Sequence, residues 1–244
     1  MRSVATSFCR VAHVLLVAGG LLLSSCRSGS EEQADVHEPG PPATMMAALH
    51  TMADHSQALQ PNGNLDLYFA QLMRENHRAA VSMSALELKQ GKDPELSRIA
   101  QDIHRAHQQL IMGLDSAIQR IQAQPPAFPD RTTQSERLSR LLEAATNGLH
   151  DAAHQTMAQT EGDKTPSDNY FERTAEDAGT GSIDRDYAAL LIPHHQNSIT
   201  LARAELELSR DESLQKAAYF ILQDQQREIE QVRTWLEEHP IKGK

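Results

Sequence analysis

The sequence predicts an all-α protein made of two copies of one helical hairpin. Leu, Ala, Gln, Glu and Arg, all good helix formers, dominate its 244 residues. Aromatic residues are only 4%, and Val, Ile and Thr form no alternating runs. Cap signals bracket several long stretches of helical apolar spacing. One such stretch recurs at an offset of 118 residues, without a gap.

Residues 1–25 read as a secretory leader. Arg2 and Arg10 form a positive n-region, and "VAHVLLVAGGLLL" is an apolar run too short to span a bilayer comfortably. The run ends in "LSSC", which resembles the lipobox of bacterial lipoproteins. The resemblance implies cleavage before Cys26 and lipidation of that cysteine. Cys9 leaves with the leader, so neither a disulfide framework nor a cysteine zinc site is expected. By analogy with Gram-negative sorting, Arg27 after the cysteine favours the outer membrane, with the protein facing the periplasm.

Residues 26–63 form a tether that carries one short helix. Gly40, Pro41 and Pro42 break regular structure, and "MMAALHTMADH" is an amphipathic piece rich in Met and His. The first hairpin spans 64–122. Asn64 caps a helix running to about Gln90, and Gly91 stands where a left-handed residue would end it. Asp93 and Pro94 then open a second helix, which stops at "QPPAFP". A connection this short folds the two helices back as an antiparallel pair. A crossover at 123–181 follows, with a helix at about 134–160 behind the capping box "TQSE". The second hairpin spans 182–239.

Shifted by 118 residues, Asp66 falls on Asp184, His77 on His195, Glu87 on Glu205, Asp93 on Asp211 and Ile103 on Ile221. Matching apolar period alone would not bring caps and histidines into the same register. Neither hairpin can bury its apolar stripe alone, so the pair is expected to form one four-helix bundle over 64–239. Two hairpins joined by a long, partly helical crossover have the connectivity of ferritin-like bundles.

The formal net charge is −10, and loss of Arg2 and Arg10 makes the mature chain more acidic by two. Such a surface repels phosphate backbones, so nucleic acid is not an expected partner. Homodimerisation and an envelope protein partner both stay open.

"YAALLIPHHQNSITLARAELE" followed by "DESLQKAAYFILQDQQREIEQVRTWL" resembles the DUF 305 family of ferritin-like bacterial envelope proteins. The resemblance rests on Ile192-Pro193-His194-His195-Gln196, Gln225, Glu228-Ile229 and Trp235-Leu236, with residues 66–114 as a degenerate copy. It implies a copper or silver ion held by Met and His, for buffering, chaperoning or resistance. The family's methionines are replaced here by Leu191, Leu201 and Val232 in the second half. The first half keeps Met73 and Met83 but has Asn76-His77 for His-His and Leu114 for the last Met.

Helical phase turns His77, His195 and His107 inward, with His194 and His104 at the edge of the stripe. Met73, His77, Met83, His104, His107 and Met112 are thereby expected to converge in the first hairpin, a donor set suited to Cu(I) or Ag(I). His194 and His195 form a second candidate set, with Gln225 or Glu228 on the facing helix as hydrogen-bond partner. Pro193 leaves the Ala189 carbonyl without its helical partner, which would bend the helix and turn these histidines inward. His150, His154 and Met157 lie on one face of the crossover helix, and Met45, Met46, His50, Met52 and His55 lie near the tether. The competing reading of every set is core filling, with methionine packing and buried histidines hydrogen-bonded.

No enzyme is expected. No Glu has a His three residues later, as a di-iron bundle requires, and no nucleophile elbow or phosphate loop is present. Two functions remain: a Cu(I)/Ag(I)-binding periplasmic lipoprotein, and a metal-free helical module for envelope structure or protein interaction.

Overall fold

The structure, a computed structural model, describes residues 41–59, 64–124 and 181–240, with positions 140, 152, 153 and 155 between them. Cys26, tether residues 27–40 and 60–63, and the His150, His154 and Met157 set lie outside the described residues.

Among the described residues, five helices are delimited: α1 (Met45–Ala58), α2 (Leu65–Gln90), α3 (Pro94–Gln122), α4 (Ile183–Leu208) and α5 (Glu212–Glu238). No strand occurs among the described residues, and no described helix is long and apolar enough to cross a membrane. The helix starts repeat at the offset read from the sequence, α2 with α4 and α3 with α5. The three-residue turns Gly91–Asp93 and Ser209–Asp211 repeat with them.

Each start is set locally. Asn64 accepts from the Leu67 N–H at 3.1 Å. Asp93 Oδ1 accepts from Glu95 and Leu96, and Asp211 Oδ1 from Ser213 and Leu214, so both second helices are capped alike. The expected left-handed glycine at 91 is not found. Gly91 is extended, with φ −62°, and its lack of a side chain matters for space instead. A Cβ there would lie 2.6 Å from the Glu87 carbonyl oxygen and would also strike the Glu87 carboxyl group.

α2 packs against α3 and α4, α5 packs against α3 and α4, and α1 lies across α2 and α4. The hairpins run head to tail, so each turn meets the start of the other hairpin. Asp184 at the head of α4 accepts from Lys92 and Asp93 N–H, both at 2.8 Å. Asp66 at the head of α2 accepts from Arg210 N–H at 3.4 Å.

The interior divides into two apolar clusters. One joins Met45, Met46, Leu49 and Met52 to Met83, Ile99, Ile103, Leu190, Leu191, Val232 and Trp235. The other, at the opposite end, joins Leu65 to Met73 with Leu114, Ile118, Leu201, Leu214 and Ile221. Between them, at mid-height on all four bundle helices, the apolar stripes are interrupted by His77, His107, His194, His195, Gln225 and Glu228. α4 stays helical through Pro193, and both following histidines are fully buried.

The matched caps give a direct test. Asp93→Ala should cost about 0.5–2 kcal/mol in chemical denaturation. Asp211→Ala should cost more, because Asp211 also pairs with Arg120 at 2.6 Å.

Candidate metal centre

Each bundle helix sends one or more polar side chains into the mid-height layer. His77 comes from α2, His107 from α3, His194 and His195 from α4, and Gln225 and Glu228 from α5. All six are buried. His195 Nε2 lies 2.8 Å from Glu228 Oε2, and His107 Nε2 lies 3.4 Å from the same oxygen. Ligating atoms of His107, His195 and Glu228 all fall within 4.8 Å of one another. Adjacent ligands on a tetrahedral ion with bonds of 2.0–2.2 Å stand about 3.4 Å apart, so this spacing needs only small adjustment. The His77 ring lies over that of His107, with centroids 4.5 Å apart.

The hydrogen bonds around the histidines fix which nitrogens carry protons. His194 Nε2 donates to the Asn76 carbonyl at 3.0 Å, which leaves its Nδ1 as an acceptor when the ring is neutral. That Nδ1 lies 3.2 Å from His195 Nδ1, so His195 Nδ1 is the donor of the pair. His195 Nε2 is then a bare lone pair facing the Glu228 carboxylate. Two electron-rich atoms at 2.8 Å repel unless a cation lies with them: a proton on His195 or a metal ion. The approach also lacks hydrogen-bond alignment, and both His195 Nε2 and Glu228 Oε2 are without a hydrogen-bond partner.

Electrostatics point the same way. Burial pushes His77 and His194 well below the usual imidazole range, and their histidine neighbours push them further. Burial also lowers His195, against the opposing pull of Glu228. Burial alone would raise Glu228, but His107 and His195 more than reverse it and hold it below the usual carboxylate range. Burial thus disfavours charge on His77, His194 and His195, and a neutral imidazole beside an ionised carboxylate is the form that ligates metals. His77 Nδ1 donates to the Met73 carbonyl at 2.9 Å, leaving Nε2 inward and unpartnered, and His107 Nδ1 is unpartnered too. An outer hydrogen bond of this kind orients a ligating imidazole.

The six-residue set expected in the first hairpin does not converge. Met73 sits in one apolar cluster, its sulfur accepting from Ser198 at 3.2 Å, while Met83 sits in the other cluster. Met112 is 62% exposed and His104 only half-buried. The reason is helical phase: His104 lies about 60° and Met112 about 140° around the helix from His107. Met45, Met46 and Met52 of α1 fill core, and His55 pairs with Glu75 at 3.1 Å. His77, His107, His194 and His195, drawn from both hairpins, are the expected residues that meet.

A family profile described as a domain of unknown function, DUF305, matches residues 25–118 and again residues 66–236. The chain belongs to the DUF305 family. Among solved structures, this DUF305 protein is similar to "CopM in the apo form", with 21% identity over 73% of this chain and 98% of that one, at a TM-score of 0.47. It is also similar to a DUF305 fragment from Deinococcus radiodurans, with 19% identity over 71% of this chain and 96% of that one, at a TM-score of 0.45. No curated protein matches it.

The candidate centre of this DUF305 protein takes residues from both hairpins, and helical phase within either one does not show which residues meet. One signal was in the sequence. On α5 the stripe Leu214, Ala218, Ile221, Val232 and Trp235 is interrupted by Gln225 and Glu228, two polar residues where apolar ones pack. Gln225 is 1% exposed, with neither amide atom hydrogen-bonded. In metal-free protein, Gln225→Leu should therefore raise stability by about 1–3 kcal/mol, as read by denaturant unfolding.

Proposed function

We propose that this protein is a metal-binding lipoprotein of the cell envelope, holding one transition-metal ion between its hairpins for buffering or chaperoning. The carrying observation is the meeting of His195 and Glu228, two buried electron-rich groups that need a cation, with His107 beside them. His77, its ring 4.5 Å from that of His107 and its Nε2 unpartnered, is the further donor we assign to the set. Copper is the first candidate, in line with the family resemblance carried by the Pro-His-His element. Imidazole and carboxylate donors suit Cu(II) and other borderline divalent ions better than soft Cu(I) or Ag(I). The soft-ion reading required Met73, Met83 and Met112 to share a site, which they do not.

Binding rather than turnover is proposed because the sequence offers no catalytic constellation. The leader and "LSSC" support anchoring at Cys26, with the bundle facing the periplasm. If so, Cys26→Ala should release the protein from membranes into the soluble envelope fraction.

The metal-free alternative has one observation in its favour: His77 and His194 each hold a backbone carbonyl through one nitrogen. On that reading a protonated His195 pairs with Glu228, and the bundle is a structural or protein-interaction module.

Equilibrium dialysis of the full chain against Cu(II), and against Cu(I) under reductant, separates the readings. Binding with a single site, weakened more than about 10-fold by either His195→Ala or Glu228→Ala, is expected. His104→Ala and Met112→Ala should leave it unchanged. Bound metal must also raise the unfolding temperature. No saturable binding of either ion, with an unfolding temperature indifferent to metal, would leave the metal-free module standing.

A further inference from the structure

The two hairpin junctions carry a pair of buried acids, Glu87 and Glu205, each toward the C-terminal end of the helix that bears His77 or His195 and related by the same 118-residue offset. Glu87, near the end of α2, is 0% exposed, and neither carboxyl oxygen has a hydrogen-bond donor. It lies within hydrogen-bonding reach of Asp184 on the opposite hairpin. Asp184 Oδ1 is itself occupied by the N–H groups of Lys92 and Asp93. At the other junction Glu205 is 3% exposed, with Oε1 unpartnered, and the acids acting on it are Asp66 and Asp211. Asp66 in turn reaches the Arg210 N–H across the hairpins.

The other charged groups at each junction are already committed. Besides Asp184, Glu87 feels Asp93, whose carboxylate lies 3.9 Å from the His239 imidazole, and Tyr187 of α4 lies close by. Around Glu205, Arg120 is held by Asp211 at 2.6 Å, and Ser209 bonds to the Glu205 carboxyl. Among the described residues, no ion pair joins a cation to Glu87 or to Glu205. A buried carboxyl group beside a second carboxylate, with no cation to pair with, is stable when protonated.

We propose that Glu87 and Glu205 are proton-binding sites that lock each hairpin turn against the head of the other hairpin, so that the bundle tightens in acid and loosens in alkali. The ligand is a single proton at each junction, held against Asp184 at one end and facing Asp66 and Asp211 at the other. Burial, reinforced by the neighbouring aspartates, raises Glu87 from its ordinary 4.5 to about 8 and Glu205 to about 9.

For an acid raised in the folded state, stability is fully present below the unfolded value. It declines as pH rises and is lost once pH passes the folded value. Histidines depressed by burial act in the opposite sense, but only below their ordinary 6.5. The window from 6.5 to about 9 therefore isolates the two glutamates.

The test is denaturant unfolding of the full chain, kept metal-free with chelator, across that window. The wild-type folding constant should fall by up to about tenfold per pH unit for each carboxyl still protonated. Glu87→Gln and Glu205→Gln, which mimic the protonated form, should each remove part of the slope, and the double variant should be nearly flat. A double variant with the wild-type slope would overturn the proposal. Should a variant fail to fold, carboxyl-labelled glutamate can be followed by NMR in the wild type. Two carboxyls titrating near 8 and 9 are expected, and titration of every glutamate in the ordinary range would overturn the proposal.

Discussion

Glu228 is the group around which the rest of the interior has to be arranged. A carboxylate taken out of water needs positive charge or several donors, and among the described residues the groups that reach it are the imidazoles of His107 and His195. Those rings must come from other helices, because α5 cannot supply them at that height. The layer therefore requires α3, α4 and α5 to be in fixed rotational register, and His77 extends the requirement to α2. Apolar packing above and below provides the closing force. The polar layer sets the rotation, since a helix turned by one residue would strand its member among leucines.

Burial also explains why the layer holds imidazoles and not cationic side chains. A lysine or arginine opposite Glu228 would neutralise it permanently, leaving nothing for an added ion to do. Imidazoles depressed by burial stay neutral, and their outer nitrogens are occupied by the Met73 and Asn76 carbonyls. Among the described residues, no lysine or arginine pairs with Glu228. A permanent salt bridge would stabilise the fold without creating a site.

Much of the architecture was legible because it is written in local chemistry. Asp93-Pro94 and Asp211 start helices wherever they are placed, and the common offset tied the two hairpins together before any packing was known. Gly91 was misread because its backbone is extended and its small size is needed for a neighbour, Glu87, that cap rules do not consider. The site was less legible for a different reason. Phase on one helix says that His107 points inward, but not which helix it will meet. The choice between Met73 with Met83 on one hand and His195 with Glu228 on the other depends on height along the bundle. Met73 and Met83 share a helix yet fall in different apolar clusters, separated by the layer that contains His77. The facing-helix pairing of His195 with Glu228 was legible within the second hairpin; reading the interrupted stripes of all four helices together would have added His107 and His77 to it.

The two hairpins agree at their ends and differ in the middle, and the physics of burial accounts for where they differ. At the junctions, repeated acids are tolerable because each pair is far from the other and can hold its own proton. At mid-height the two copies face each other across the bundle, so any charge present in both would meet its twin. A glutamate at the position of Leu110, equivalent to Glu228, would put a second carboxylate into the same dry layer. His107 and Gln225 divide in the same way, one copy able to ligate and the other only to hydrogen-bond. A symmetric sequence would give a layer with no acid or with two, and only the broken symmetry supplies a single carboxylate ringed by imidazoles. The departure of each half from the other is thus what leaves one carboxylate, and not two, among the imidazoles at the centre of the duplicated bundle.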